Sequence, residues 1–371
     1  MGLRVLITNL NLWPPSGTVL YVRDLALELQ RQGHTPSVLS STAGGIADEL
    51  RASGIEVTSS LRKGRPAPDI IHGHQYAPTL AALDRWRTVP AVHLCHDHTS
   101  PYDRTPIHAN IRLHLGVSRV CVQRLLADGV PKTEVRLLPN FVDTARFTPR
   151  GALPERPRRA LVFSNYASEE SHLPAVREAC RKAGLELDVV GVGVGRIEAA
   201  PERLLGQYDL VFAKAKAAME AMAVGTAVIL CDFSGVGPMV TTAEFDRLRP
   251  LNFGFEALRE PLRPEPLLRE IARYDAADAA RVRDRLRSSA GLVTAVEGLL
   301  AIYREAIDEE RESRPAAAVW RPLRERFVLQ LYWRWESQPT VRRDWIKAIP
   351  GVRPLLRRGR RVLGGGAGPT H

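Results

Sequence analysis

The sequence has little of what metal, disulfide or membrane chemistry needs. Its 371 residues include four cysteines, Cys95, Cys121, Cys180 and Cys231, with no C-x-x-C or other ligand spacing. That argues against a zinc ribbon and against a disulfide framework. All four read as small buried hydrophobes in a reducing compartment, Cys231 lying inside the apolar run TAVILCDF. No Asp-x-Asp motif occurs, so the metal-dependent form of phosphate handling has no sequence support. No apolar run approaches the roughly 20 residues that cross a bilayer. The start, MGLRVLITNL, is too short an apolar run for a secretory signal and has no cleavage site. These absences lead to the expectation of a cytoplasmic protein.

What is present is a large apolar complement, 44% of residues, with 25% charged. Both values suit a soluble globular chain long enough for two cores. The net charge of +11 is unevenly placed. Residues 1–313 hold 39 Lys and Arg against 38 Asp and Glu, whereas 314–371 hold 13 against 3. The body is thus nearly neutral, and no nucleic-acid partner is expected.

Along the chain, apolar β-forming runs alternate with amphipathic segments. Leu3–Thr8, Pro36–Ser40, Asp69–His72, Ala91–Cys95 and Ile111–Val117 read as buried strands. Thr18–Gln32, Pro78–Trp86 and Ser118–Asp128 read as helices, the first and last closed by Gly33 and Gly129. A second series starts at Arg159–Phe163 and includes strands Leu185–Val190, Leu210–Phe212 and Thr226–Cys231. Its helices are Ser171–Ala183, Lys214–Ala223 and three more up to Arg311. Such alternation implies an α/β fold with two doubly wound parallel sheets. The stretch Thr148–Arg159, with three prolines, a glycine and several arginines, reads as the linker. The expected domains are 1–150, 151–313 and a basic tail, 314–371.

In open parallel sheets, ligands bind beyond the carboxyl ends of the strands. That rule selects PPSG (14–17), HGH (72–74) and HDH (96–98) in the first half. In the second half it selects SNYASEES (164–171), GVGVG (191–195), AKAK (213–216) and DFSGVGP (232–238). A helix amino end offers free N–H groups and partial positive charge, which suits a phosphate. Lys214 and Lys216 stand at such an end, and Glu220 follows one to two turns along, where a carboxylate can hold ribose hydroxyls. Each histidine of HGH and HDH, taken alone, fits a structural role, and their spacing gives no zinc pattern. GVGVG fits a tight turn better than a dinucleotide fingerprint, since it lacks the third glycine in register.

Three segments together resemble retaining GT-B glycosyltransferases of the family-4 type. MEAMAVGTAVILCDFSGVGPMV is similar to the family's donor-site signature, a glutamate followed by Ala-Met-Ala-x-Gly, a strand and a glycine-containing loop. GVSRVCVQRLLADGVPKTEVRLLPNFVDTARFTP resembles the run that ends the family's first domain. DIIHGHQY followed by VHLCHDH resembles its Asp-Val-Val-His-x-His and later His-Asp pair. The resemblance covers roughly 3–310. It implies GT-B architecture, two Rossmann-like domains facing a cleft, and transfer of a sugar from a nucleotide-sugar donor with retention. The acceptor it implies is a glycan or lipid-linked molecule in polysaccharide or glycoconjugate assembly. By the same resemblance, Glu220 binds the nucleotide ribose and His96 lies beside the transferred sugar. Gly17 lets the first loop approach donor or acceptor, and Gly191 and Gly193 line the base side.

The sequence departs from that pattern at four places. Phe212 stands where the family carries a first glutamate. SNYASEES lacks the family's basic pair, Phe141 replaces a glycine, and the first loop has the single Gly17. Lys214 and Lys216 are therefore expected to neutralise the diphosphate, with Ser164 and Asn165 donating hydrogen bonds and no metal cofactor required. Two other readings stay open: a nucleotide-sugar epimerase or hydrolase on the same fold, and a catalytically degenerate homologue acting as a binding subunit. The tail, with Trp320, Trp333, Trp335 and Trp345 among its arginines, has three readings. It is a solvated arm, a segment wrapped over the first domain, or a contact with anionic membrane on the cytoplasmic face.

Overall fold

The alternation of buried strands and one-sided helices resolves into two α/β units in a computed structural model. It describes residues 2–311 apart from 14, 41–43, 62–64 and 199. The readings of the basic tail lie outside the described residues. Of the described residues, those up to Leu138 and from Val296 to Arg311 form one unit; the other is Pro139–Ala295. The break thus falls at residue 138, ahead of the proline-rich stretch that the sequence singles out. Residues 139–150 join the second unit: the Arg150 N–H donates to Val224 O at 2.8 Å, and its guanidinium reaches Asp209.

The first unit runs β1 (Arg4–Asn9), α1 (Gly17–Arg31), β2 (Thr35–Ser40), α2 (Gly45–Ala52), β3 (Glu56–Thr58) and β4 (Ile70–His74). It continues α3 (Tyr76–Arg85), β5 (Ala91–Cys95), β6 (Ile111–Gly116), α4 (Arg119–Ala127) and β7 (Val135–Leu137). Strand order is β3-β2-β1-β4-β5-β6-β7 with every pair parallel. The order reverses between β1 and β4, so the loops after those strands flank the switch point where ligands enter such sheets. β4, β5 and β6 are buried along their whole length, as central parallel strands covered on both faces are, although each carries at least one histidine. Ser16 caps α1 and Ser118 caps α4, each hydroxyl accepting a backbone N–H three residues on.

The second unit runs β8 (Arg159–Phe163), α5 (Leu173–Ala183), β9 (Glu186–Val190), α6 (Pro201–Leu204), β10 (Leu210–Ala213), α7 (Ala215–Val224) and β11 (Ala227–Asp232). Then come β12 (Gly235–Met239), α8 (Thr242–Leu248), α9 (Pro264–Ile271) and α10 (Ala276–Ser289); α11 (Leu292–Arg311) starts in this unit and from Val296 belongs to the first. The order is β12-β11-β10-β8-β9, parallel except for β12. The switch point here lies between β8 and β10. α7 ends at Gly225, whose φ of +98° places it in the left-handed region that stops helices.

One loop of the sequence reading is a strand. DFSGVGP turns back antiparallel to β11 as β12 because its glycines admit a close neighbour. A Cβ on Gly237 would stand 2.7 Å from Ala257 O, and one on Gly235 2.8 Å from Glu260 O. These glycines serve strand packing. The four cysteines are buried and free, as their scatter implies.

Candidate functional site

In the second unit the carboxyl ends of β8, β10 and β11 converge on one ionic group. The short step from β10 to α7 is Lys214, whose Nζ lies 2.9 Å from Oδ2 of Asp232 at the end of β11. Asp232 is fully buried. Its Oδ1 accepts from Ser164 Oγ at 3.3 Å and from the Phe233 N–H at 2.8 Å, and His172 Nδ1 lies 3.7 Å away. Burial, with the Lys214 charge nearby, pushes the His172 imidazole down to about 4, so it is neutral. Three aromatic rings surround the ammonium: Phe255 at 3.6 Å from its centroid, Tyr166 at 5.1 Å and Phe233 at 5.7 Å. Tyr166 and Phe233 are exposed.

The same corner carries backbone strain. Ala215, the first residue of α7, has φ +50°, and Asn252 and Phe253 have φ +55° and +50°. The Ala215 N–H donates to Phe253 O at 2.8 Å. Left-handed backbone costs an ordinary L-residue roughly 1–2 kcal/mol, and such strain persists only where surrounding contacts enforce it. Asn252 is so enforced: its Oδ1 accepts the Asn140 N–H while Arg249 donates to Asn140 O. Nothing in the residue types announced Ala215 or Phe253 as strained; Asn252-Phe253-Gly254 was readable only as a turn.

The site residues taken from the sequence fall as follows. Glu220 is on α7, buried, with Oε1 3.6 Å from Lys216 Nζ, and Lys216 is itself buried over the Phe141 ring. Both lysines assigned to the diphosphate are thus paired with buried carboxylates. Phe212 lies inside β10 with no exposure. The strand passes into α7 through Lys214 alone, so the side chain eight residues ahead of Glu220 packs within the sheet. Ser164 and Asn165 hold the loop after β8. Ser164 Oγ accepts the Tyr166 N–H, and Asn165 Oδ1 accepts the Val192 N–H. Gly191 and Gly193 are required by that loop. Added Cβ atoms would meet Ser164 O at 1.8 Å and Ala167 O at 2.3 Å. Asp232, His172, Tyr166, Phe233 and Phe255 were not singled out; the one signal for Asp232 was an acid closing an apolar strand.

In the first unit, His74 ends β4 and His96 follows β5. His74 Nδ1 and His96 Nε2 are 2.7 Å apart, and the Tyr21 ring of α1 packs edge-on against both. Burial pushes His96 down to about 3 and His74 well below the usual histidine range, so both rings are neutral at pH 7. The His96 N–H donates to Asp103, whose buried carboxyl is raised to about 7. Thr8 Oγ1 accepts the His74 N–H at 3.2 Å and fixes the strand end. Gly17 begins α1 with no atom within 4 Å of where a Cβ would stand, so nothing within the chain demands a glycine there. Among the described residues no three His, Cys, Asp or Glu side chains form a metal-holding group.

Two parallel-sheet α/β domains of this order define the fold of GT-B glycosyltransferases. Solved structures of that fold match nearly full length. They include a glycosyltransferase from Rickettsia africae ESF-5 at 16% identity and TM-score 0.57, covering 82% of this chain and 99% of that one. Anabaena Alr3699/HepE in complex with UDP and glucose matches at 14% identity and TM-score 0.60, covering 82% and 100%. Sucrose-phosphate synthase from Thermosynechococcus elongatus matches at 14% and 0.54, covering 83% and 100%. Residues 56–146 match the family described as Glycosyltransferase Family 4. No curated protein sequence matches the chain.

Proposed function

We propose that the protein is a glycosyltransferase that takes a sugar from a nucleoside-diphosphate sugar and passes it, with retention, to a glycan or lipid-linked acceptor. The observation that carries this reading is the corner at the β8/β10 switch point. There the amino end of α7, Lys214 and Lys216 adjoin Glu220, a carboxylate placed for ribose hydroxyls. Departure of a nucleoside diphosphate builds negative charge on its phosphate oxygens. Helix N–H groups and the two ammonium groups stabilise that charge, and the reading assigns this work to them rather than to a metal. Since each lysine is already paired, it contributes less than an isolated charge would, and the backbone N–H groups carry more of the load. The exposed Tyr166 and Phe233 flank the corner with apolar surface. The first unit takes the acceptor side, with His96 as a neutral hydrogen-bonding group. The Glycosyltransferase Family 4 match and the UDP-bound relative of the same fold support the reading.

Thermal unfolding against uridine, guanosine and adenosine diphosphates and their sugars tests it. One nucleotide should stabilise the protein, by about 2.7 kcal/mol at a hundredfold excess over Kd. No stabilisation by any of them would leave the binding-subunit reading in its place, and sugar interconversion without acceptor would leave the epimerase reading. The basic composition of 314–371 supports attachment to an anionic membrane face, where the acceptor would reside. In flotation with vesicles containing anionic lipid, the full chain should rise at low salt and sediment at high salt. Equal behaviour on neutral vesicles would remove that part.

A further inference from the structure

Three buried side chains of the first unit and the half-buried His96 form a line. Tyr303 of α11 is fully buried, and its hydroxyl lies 2.6 Å from His72 Nδ1. The His72 and His74 rings are 4.5 Å apart between centroids. His74 Nδ1 meets His96 Nε2 at 2.7 Å. Nε2 of His72 and Nε2 of His74 are buried and have no hydrogen-bond partner among the described residues. None of these rings carries a charge at neutral pH, because burial holds all three histidines far below their usual range.

A neutral imidazole has one donor and one acceptor nitrogen, and its tautomer is set by what the other nitrogen binds. Tyr303 must donate. If it accepted from His72, its own buried O–H would have no acceptor, and an orphaned donor costs about 1–3 kcal/mol. His72 then bears its proton on Nε2. Two arrangements remain for the next ring. If His96 donates to His74, both His72 and His74 present N–H groups on their unpartnered Nε2 atoms, donor beside donor. If His74 donates to His96, His74 Nε2 is a bare acceptor and only the His72 Nε2–H is an unpaired donor. The second arrangement leaves one buried donor unpaired and the first leaves two, which favours the second.

We propose that Tyr303, His72 and His74 form a one-way hydrogen-bond chain that fixes His96 in the tautomer protonated on Nδ1. His96 therefore offers a ligand an N–H donor, Nε2 being occupied by His74, and is no general base. Tyr303, His72 and His74 act as positioning residues, and Tyr21 holds the rings edge-on. Its meaning for sugar transfer rests on the function proposed above. The tautomer itself is a property of the free protein and can fail while nucleotide binding stands, and the reverse.

Long-range 15N–1H correlation on full-length protein labelled at histidine reads each tautomer directly. His96 is assigned by its loss in His96→Gln. In the wild type its Nδ1 should be protonated and its Nε2 bare. In Tyr303→Phe, which keeps the ring and removes the hydroxyl, the His96 nitrogen shifts should move toward the average of the two tautomers. Near-ultraviolet circular dichroism confirms that the variant is folded. The wild-type spectrum decides even where it is not. A wild-type His96 protonated on Nε2 overturns the proposal, as does a folded Tyr303→Phe variant whose His96 shifts equal those of the wild type.

Discussion

Acidification from pH 6.5 to 5.5 should strip about 2 kcal/mol from the stability of the first unit. His72, His74 and His93 are fully buried and held far below the ordinary histidine value, His72 at about 3. In the unfolded chain each titrates near 6.5. Their folded values are depressed, so the unfolded state binds more protons below 6.5. The stability they confer is complete above that pH and drains as pH falls toward 3. Each contributes about 1 kcal/mol between pH 6.5 and 5.5, because the unfolded imidazole is half protonated at 6.5 and the slope approaches about 1.4 kcal/mol per pH unit only below that. Asp103 opposes them. Its carboxyl, raised to about 7, is protonated in the folded state before the unfolded one, and this returns about one histidine's worth on acidification. His96, half-buried, adds less. Urea unfolding at pH 7.5, 6.5 and 5.5 measures the slope. A midpoint that holds steady across that range would show that the cluster is solvated or that its histidines titrate normally.

The second large effect belongs to Lys214. Replacing it with Met leaves Asp232 charged, fully buried and without its ammonium, a change that typically costs 3–5 kcal/mol. Ser164 and the Phe233 N–H still serve Oδ1, which places the expected loss near the lower end. Lys214→Met with Asp232→Asn should recover much of it, since the second change removes the stranded charge. Chemical denaturation of both variants reads this. A single variant within about 1 kcal/mol of wild type would mean that the carboxylate is rescued by water or protonation. It follows that a rise in donor KM on Lys214→Ala alone would not identify a phosphate ligand. The comparison must be made with the double variant.

The sequence carried the architecture because buried parallel strands and one-sided helices leave period and punctuation that local physics reads directly. VLIT, AVHLC and TAVILCD could hardly be anything but interior strands. It carried the place of the second-unit corner for the same reason, through the strand-end rule and the segment around Glu220. It did not carry the pairings. That Lys214 is held by Asp232, 18 residues on, depends on which strand ends meet, which is a property of sheet order, whereas Lys216 and Glu220 meet as a local i,i+4 pair on α7. Gly235 and Gly237, selected by the strand-end rule as part of a loop, lie in β12 against neighbouring backbone. A glycine demanded by a neighbouring backbone looks, in sequence, like one demanded by a phosphate. Tyr303 lies 231 residues from His72, and no local pattern joins them.

The most direct test of the donor-site account is a crystal structure with the stabilising nucleoside diphosphate bound, with binding to Glu220→Gln measured beside it. The phosphates should lie at the amino end of α7 with the ribose hydroxyls on Glu220, and Glu220→Gln should weaken binding by about 10- to 100-fold, the worth of a charged hydrogen bond. A nucleotide seated elsewhere in the second unit, with the Glu220→Gln variant binding as tightly as wild type, would contradict it.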